Sequence, residues 1–154
     1  MLSVDNENLQ QVVQSIWTQM LGLQLMPQVG TPAQRSGACV SASVEISGAW
    51  SGRVLVRCSL NHARRVAAGF FGMEHNCVDQ KSLLDTLGEL ANMTGGAVKR
   101  QVASPSSLSI PTTRHDNSWP VTHAENVLVD SEFACEGELI SVAVLALQAP
   151  AVAG

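Results

Sequence analysis

The sequence has little charge and no surplus of positive charge. Of its 154 residues only 14% are Asp, Glu, Lys or Arg, and 9 basic residues face 13 acidic ones, for a net charge of −4. That balance provides no electrostatic footprint for nucleic acid or an anionic membrane. Cysteine pairs are missing as well: Cys39, Cys58, Cys77 and Cys135 are scattered with no CxxC. Zinc-knuckle and thioredoxin-like arrangements are thereby removed, and buried reduced thiols are expected. There is no Gly-x-x-x-x-Gly-Lys phosphate loop, no HExxH and no Gly-x-Ser-x-Gly elbow. Nor do His62, His75, His115 and His123 share a ligand spacing, so no metal site is expected. Residues 1–10 are acidic and amide-rich where a secretory signal needs basic charge and an apolar run. The apolar residues 139–154 are broken by Ser141, Gln148 and Pro150 and fall short of the ~20 residues of a membrane span. A cytoplasmic location is the resulting expectation.

What is present is enough to build a core. With 45% hydrophobic residues the chain is far from the composition of disorder, and its length suits one domain over residues 1–154, with 149–154 as a flexible tail. Leu9, Val12, Val13, Ile16, Trp17, Met20 and Leu21 recur at helical spacing, predicting an amphipathic helix over 5–21, capped by Asp5 or Asn6 and stopped by Gly22. Residues 27–37 read as a loop, with room for a short strand within 23–29. From Ala38 the period becomes two, through Ile46 and again from Val54 to Cys58, with glycines at 48 and 52. A β-hairpin follows from that pattern. Ser59 or Asn61 caps a short helix to about Gly72 that carries Arg64 and Arg65 outward and buries Ala63, Val66, Ala67, Phe70 and Phe71. A longer helix spans about 79–101. Beyond Pro105, strands are expected near 108–112, 121–131 and 138–147, with 114–120 as a polar loop and a turn around residues 135–137. The sum is an α+β fold, a largely antiparallel sheet covered by about three helices.

The long helix holds the most information. At about 100° per residue, Leu83, Leu84, Leu87, Leu90, Ala91, Thr94, Ala97 and Val98 gather on one face. Asp85, Glu89, Asn92, Gly96 and Lys99 form a polar stripe on the other, with Gly88 at its border and Gly95 nearer its edge. Glycine costs a helix interior roughly 0.8–1 kcal/mol relative to alanine. Three glycines here favour close approach by another surface over local helix strength.

Asp85-x-x-x-Glu89-x-x-Asn92, preceded by a hairpin and a short Arg-bearing helix and followed by Leu108-Ser109-Ile110-Pro111, resembles the chemotaxis phosphatase family of CheX, CheC and FliY. The likeness covers roughly residues 38–115, and Gly88-Glu89-Leu90-Ala91-Asn92-Met93 is its most specific part. The first helix has no Glu-x-x-Asn, so the resemblance is to the single-site CheX branch rather than to two-site relatives. It implies dephosphorylation of the aspartyl phosphate of a CheY-type response regulator in chemotaxis or two-component signalling. Asn92 would position the attacking water and Glu89 would anchor the receiver lysine. Asp85 would help dock the receiver or simply solvate the helix, while Gly88 and Gly96 would permit close approach or serve helix-on-sheet packing. The resemblance also implies a homodimer, no cofactor bound by this chain, and Mg²⁺ carried by the receiver. The alternative reading is an adaptor or flagellar-switch component that binds a phosphorylated receiver without turnover.

Overall fold

A computed structural model describes residues 4–119 and 126–147. Its elements run α1 (Asn6–Leu21), β1 (Met26–Pro27), β2 (Cys39–Gly48), β3 (Gly52–Ser59), α2 (Leu60–Phe71), a 3-10 turn (His75–Cys77), α3 (Gln80–Lys99), β4 (Ser106–Leu108), β5 (Thr112–Asp116), β6 (Val127–Cys135) and β7 (Glu138–Ala146). This is the α+β class anticipated, with every strand pairing antiparallel in the order β1-β6-β7-β3-β2-β4 and β5 also on β2.

Local chemistry sets the helix ends. Asp5 accepts a hydrogen bond from the Asn8 amide at 2.8 Å, Ser59 from that of His62 at 3.2 Å and Asp79 from that of Ser82 at 2.7 Å, each satisfying an amide without an intrahelical partner. Gly22 and Gly72 close α1 and α2 in the left-handed conformation, where a Cβ would be strained.

Strand alternation delivers one face of the sheet to the helices. Val40, Ala42, Val44 and Ile46 of β2, Val54 and Val56 of β3, and Ile140, Val142 and Val144 of β7 join Leu9, Val13 and Trp17 of α1 and Leu83, Leu87, Leu90 and Ala91 of α3 in one core. The opposite face carries Ser41, Ser43, Arg53 and Arg57 along a cavity of about 720 Å³. So the helices cover a single face, and the hairpin alternation read from the sequence is what sorts the two sides.

The last third departs from expectation. The single strand expected over 108–112 is two, β4 against Ile46, Ser47 and Gly48 and β5 against Cys39 to Ser43, so residues 114–116 are strand rather than loop. Pro111 has no amide to give the ladder, and the chain leaves β2 between the two pairings. Ser109 bridges the gap: its amide donates to the Glu45 carbonyl at 2.9 Å, and its Oγ accepts from the Glu45 amide at 2.8 Å. The strand expected over 121–131 lies at Val127–Cys135, its first part being outside the described residues, as is the expected tail. Phe71, assigned to the buried side of α2, is 47% exposed, because the helix ends there and the core beneath it is already filled by Ala63, Val66 and Ala67.

Candidate functional site

Helix α3 separates its faces as its periodicity requires. Leu83, Leu87, Leu90, Ala91 and Val98 are buried. The two threonines on the buried side satisfy their own hydroxyls, Thr86 donating to the Ser82 carbonyl at 2.7 Å and Thr94 to that of Leu90 at 2.8 Å. Polar side chains therefore sit against the core without an orphaned group.

On the other face Asp85 and Glu89 are exposed and Asn92 and Gly96 are half-buried. Asp85 is held by Lys81, whose ammonium donates to it at 2.7 Å. Neither Glu89 nor Asn92 is engaged by another described side chain in a hydrogen bond or ion pair. One helical turn apart, they present a carboxylate acceptor and a carboxamide that both donates and accepts. The structure thus brings the predicted pair together with its polar groups unspent.

The three glycines of the helix do different things. Gly95, placed near the edge of the stripe by sequence, is buried, and a Cβ there would lie 2.4 Å from Val44 Cγ2. This is the glycine that lets the helix settle on the sheet. Gly88 is buried against the chain after β4, its notional Cβ falling 3.4 Å from both Pro111 Cβ and Thr113 Cγ2. Gly96 is open, with Arg100 Nη1 the nearest atom at 3.9 Å.

Beside the stripe, Leu84, Asp85, Gly88 and Glu89 face Pro111 and Thr113 across a groove of about 350 Å³. Sequence spacing left Thr113 unassigned, since only the pairing of β5 with β2 brings it beside α3. The larger cavity on the far face of the sheet contains neither Glu89 nor Asn92, and its cations are matched by acids, Arg53 with Glu45 at 2.7 Å and Arg114 with Asp116 at 2.9 Å. Glu89 lines the smaller groove, and Asn92 lies on the adjoining stripe.

One side chain, Cys77, departs from the sequence reading, and His62, which that reading left unplaced, is located. His62 is buried in α2 and its Nε2 accepts from Trp17 Nε1 at 3.0 Å; desolvation, then the nearby Arg65 charge, lowers its pKa to about 4. Cys77 lies exposed in the 3-10 turn, whereas Cys39, Cys58 and Cys135 are buried thiols as expected. Burial pushes the Cys39 thiol up to about 12, which leaves it protonated and unreactive at neutral pH. Among the described residues no three or more His, Cys, Asp or Glu gather where they could hold a metal ion, and no helix is long and apolar enough to cross a membrane.

Comparison with known proteins bears on the family and the fold. A family model described as chemotaxis phosphatase CheX matches residues 40–130. Among solved structures, the chain is similar to chemotaxis protein CheX from Vibrio vulnificus, at 20% identity and TM-score 0.70 over 88% of this chain and 93% of that one. It is similar to CheX from Desulfovibrio desulfuricans at 18% identity and TM-score 0.71, over 90% and 96%. CheX in the CheX-CheY-BeF3-Mg complex from Borrelia burgdorferi matches at 16% identity and TM-score 0.69, over 92% and 97%. No curated protein sequence matches.

Proposed function

This chain belongs to the chemotaxis phosphatase CheX family, and on that premise we propose that it hydrolyses the aspartyl phosphate of a CheY-type receiver, with Asn92 and Glu89 as the working residues. The observation that carries the reading is the pair itself, two unengaged polar side chains one turn apart on the solvent face of a helix locked to the sheet by Gly95. A structural relative caught in complex with CheY supports a receiver as the partner.

The chemistry asks little of the phosphatase. An acyl phosphate is already activated, and in this reading the receiver brings Mg²⁺ and a lysine to neutralise phosphoryl charge. What this chain adds is a positioned water. The Asn92 carboxamide oxygen accepts a hydrogen bond from the water and its NH2 donates to a phosphoryl oxygen, aligning the water oxygen opposite the aspartyl oxygen while both water protons leave with the phosphate. As the new P–O bond forms, the bond to the aspartyl carboxylate breaks, releasing phosphate and a free carboxylate. Positioned polar groups of this kind contribute about 10²–10³ in rate. Glu89 accepts a charge-assisted hydrogen bond from the receiver lysine, and its place on a rigid helix fixes how deeply Asn92 enters.

Asp85 acts at the border of this interface, partly occupied by Lys81. Gly88 and Gly96 keep the helix surface low on either side of the pair. A homodimer belongs to the same reading, and the outer edges of β4 and β5 provide backbone groups through which strands pair.

The test is the lifetime of a phosphorylated CheY-type receiver in Mg²⁺ buffer. Catalytic amounts of this protein should shorten it. Binding with an unchanged lifetime would replace the phosphatase with an adaptor.

A further inference from the structure

The groove beside the stripe is built by α3 and the chain into β5, where Gly88 and Thr113, 25 residues apart in sequence, come together. Gly88 lies on α3 beside β5, within van der Waals reach of Pro111 and Thr113 through its notional Cβ. Because Gly88 has no side chain, the space between Glu89 and Thr113 stays open at about 350 Å³, room for one side chain from outside. Resting on the phosphatase reading above, we propose that Thr113 is a specificity-determining contact for the receiver, forming the wall opposite Glu89 of a groove that seats one receiver side chain beside the phosphoryl site.

Two arguments support this assignment. The first is reach. Gly88 and Asn92 are four residues apart on one helix, about 6 Å along its axis, whereas even a modest protein interface covers roughly 600–800 Å² per partner. A receiver close enough to deliver its phosphoryl group to Asn92 covers the groove as well. The second is chemistry. Asp85, Glu89 and Leu84 line the helix side, and Pro111 and the Thr113 methyl line the other. Carboxylates repel an anionic occupant, and the apolar wall takes a hydrocarbon stem. An aliphatic side chain with a neutral or cationic end fits, and an acidic one does not.

Thr113 is also held firmly. It pairs with Ala42 in the β2–β5 ladder, and the chain leading to it is pinned by the two hydrogen bonds between Ser109 and Glu45. A wall fixed by backbone pairing discriminates by shape, because it does not yield to a misfit.

The experiment titrates a CheY-type receiver, locked with beryllofluoride and Mg²⁺, against wild type, Thr113→Phe, Thr113→Lys and Thr113→Ser, and pairs each titration with turnover of the phosphorylated receiver. Phe and Lys fill the groove while leaving the ladder intact, and Phe is itself a good strand former; Lys carries the same test should the Phe variant fold poorly. Both should weaken binding at least about fivefold and raise KM in step with kcat unchanged, while Ser stays within about twofold, the contrast expected of one well-seated contact. Wild-type binding matched by the Phe and Lys variants overturns the groove and leaves the phosphatase reading standing. Wild type that neither binds nor turns over the receiver overturns both. Wild type that binds without turnover retains the groove, through the Kd values alone, and removes the phosphatase.

Discussion

Val44 of β2 stands directly against Gly95 of α3, so near that a Cβ on Gly95 would lie 2.4 Å from Val44 Cγ2 and 3.1 Å from Leu108 Cδ1. The closeness fixes the height of the helix above the sheet and, with it, how far Glu89 and Asn92 project. Gly95→Ala should therefore destabilise the fold by about 1–3 kcal/mol, the usual cost of overpacking, despite alanine's better helix propensity. Urea unfolding would show a lower midpoint; an unchanged midpoint would mean that the helix sits higher than described.

Gly88 and Gly96 should behave oppositely to Gly95. The Cβ of Gly88→Ala makes ordinary contacts at 3.4 Å, and that of Gly96→Ala meets nothing closer than 3.9 Å. Each substitution should hold or raise stability, by up to about 1 kcal/mol. If the two glycines serve docking, both variants should fold well and bind the beryllofluoride-locked receiver more weakly. Receiver titration beside thermal melting separates the two effects.

Trp17 and His62 set an acid limit on stability. Trp17 Nε1 donates to His62 Nε2, so the neutral ring carries its proton on Nδ1, which is buried without a partner among the described residues. The folded pKa is depressed from 6.5 to about 4, so between those values the unfolded chain binds the proton and the folded chain does not. The contribution of this pair is complete above pH 6.5 and is lost as pH falls toward 4, by up to roughly 3 kcal/mol. His62→Leu should flatten that part of the stability profile. Its cost at neutral pH should be about 1–3 kcal/mol, from the stranded indole N–H.

Much of this was legible in the sequence because it follows from local pattern. The caps, offered as Asp5 or Asn6 and as Ser59 or Asn61, the stops at Gly22 and Gly72, and the alternation of β2 and β3 are written in adjacent residues, and the Glu89–Asn92 face follows from helical periodicity alone. What escaped depends on long-range pairing. The split into β4 and β5 arises where Pro111 has no amide for the ladder, with Ser109 bridging the gap by accepting the Glu45 amide on its hydroxyl. Thr113 meets Gly88 only because β5 pairs with β2. His62 was unreadable for the same reason: its partner is 45 residues away in α1. The glycines show the limit most clearly, since a helical wheel placed Gly95 nearest the edge of the stripe and only its contact with Val44 reveals a packing role.

Ser109 gives a further check on the groove. Ser109→Ala removes the acceptor of the Glu45 amide at an exposed site where water can replace it, so the loss of stability should be about 1 kcal/mol or less. The freed segment carries Pro111 and leads into Thr113, and its loosening should raise KM more than it lowers kcat. Steady-state kinetics on the phosphorylated receiver would reveal that division.

The central claim is that Asn92 positions the attacking water and Glu89 holds the partner. Its most direct measurement is single-turnover decay of a phosphorylated CheY-type receiver, with Mg²⁺, under saturating wild-type, Asn92→Ala or Glu89→Ala protein, with receiver affinity determined alongside. Asn92→Ala should bind nearly as well as wild type yet lose about 10²–10³ in the hydrolytic rate, while Glu89→Ala should lose affinity as well as rate. An Asn92→Ala protein that clears the phosphate as fast as wild type would contradict the account.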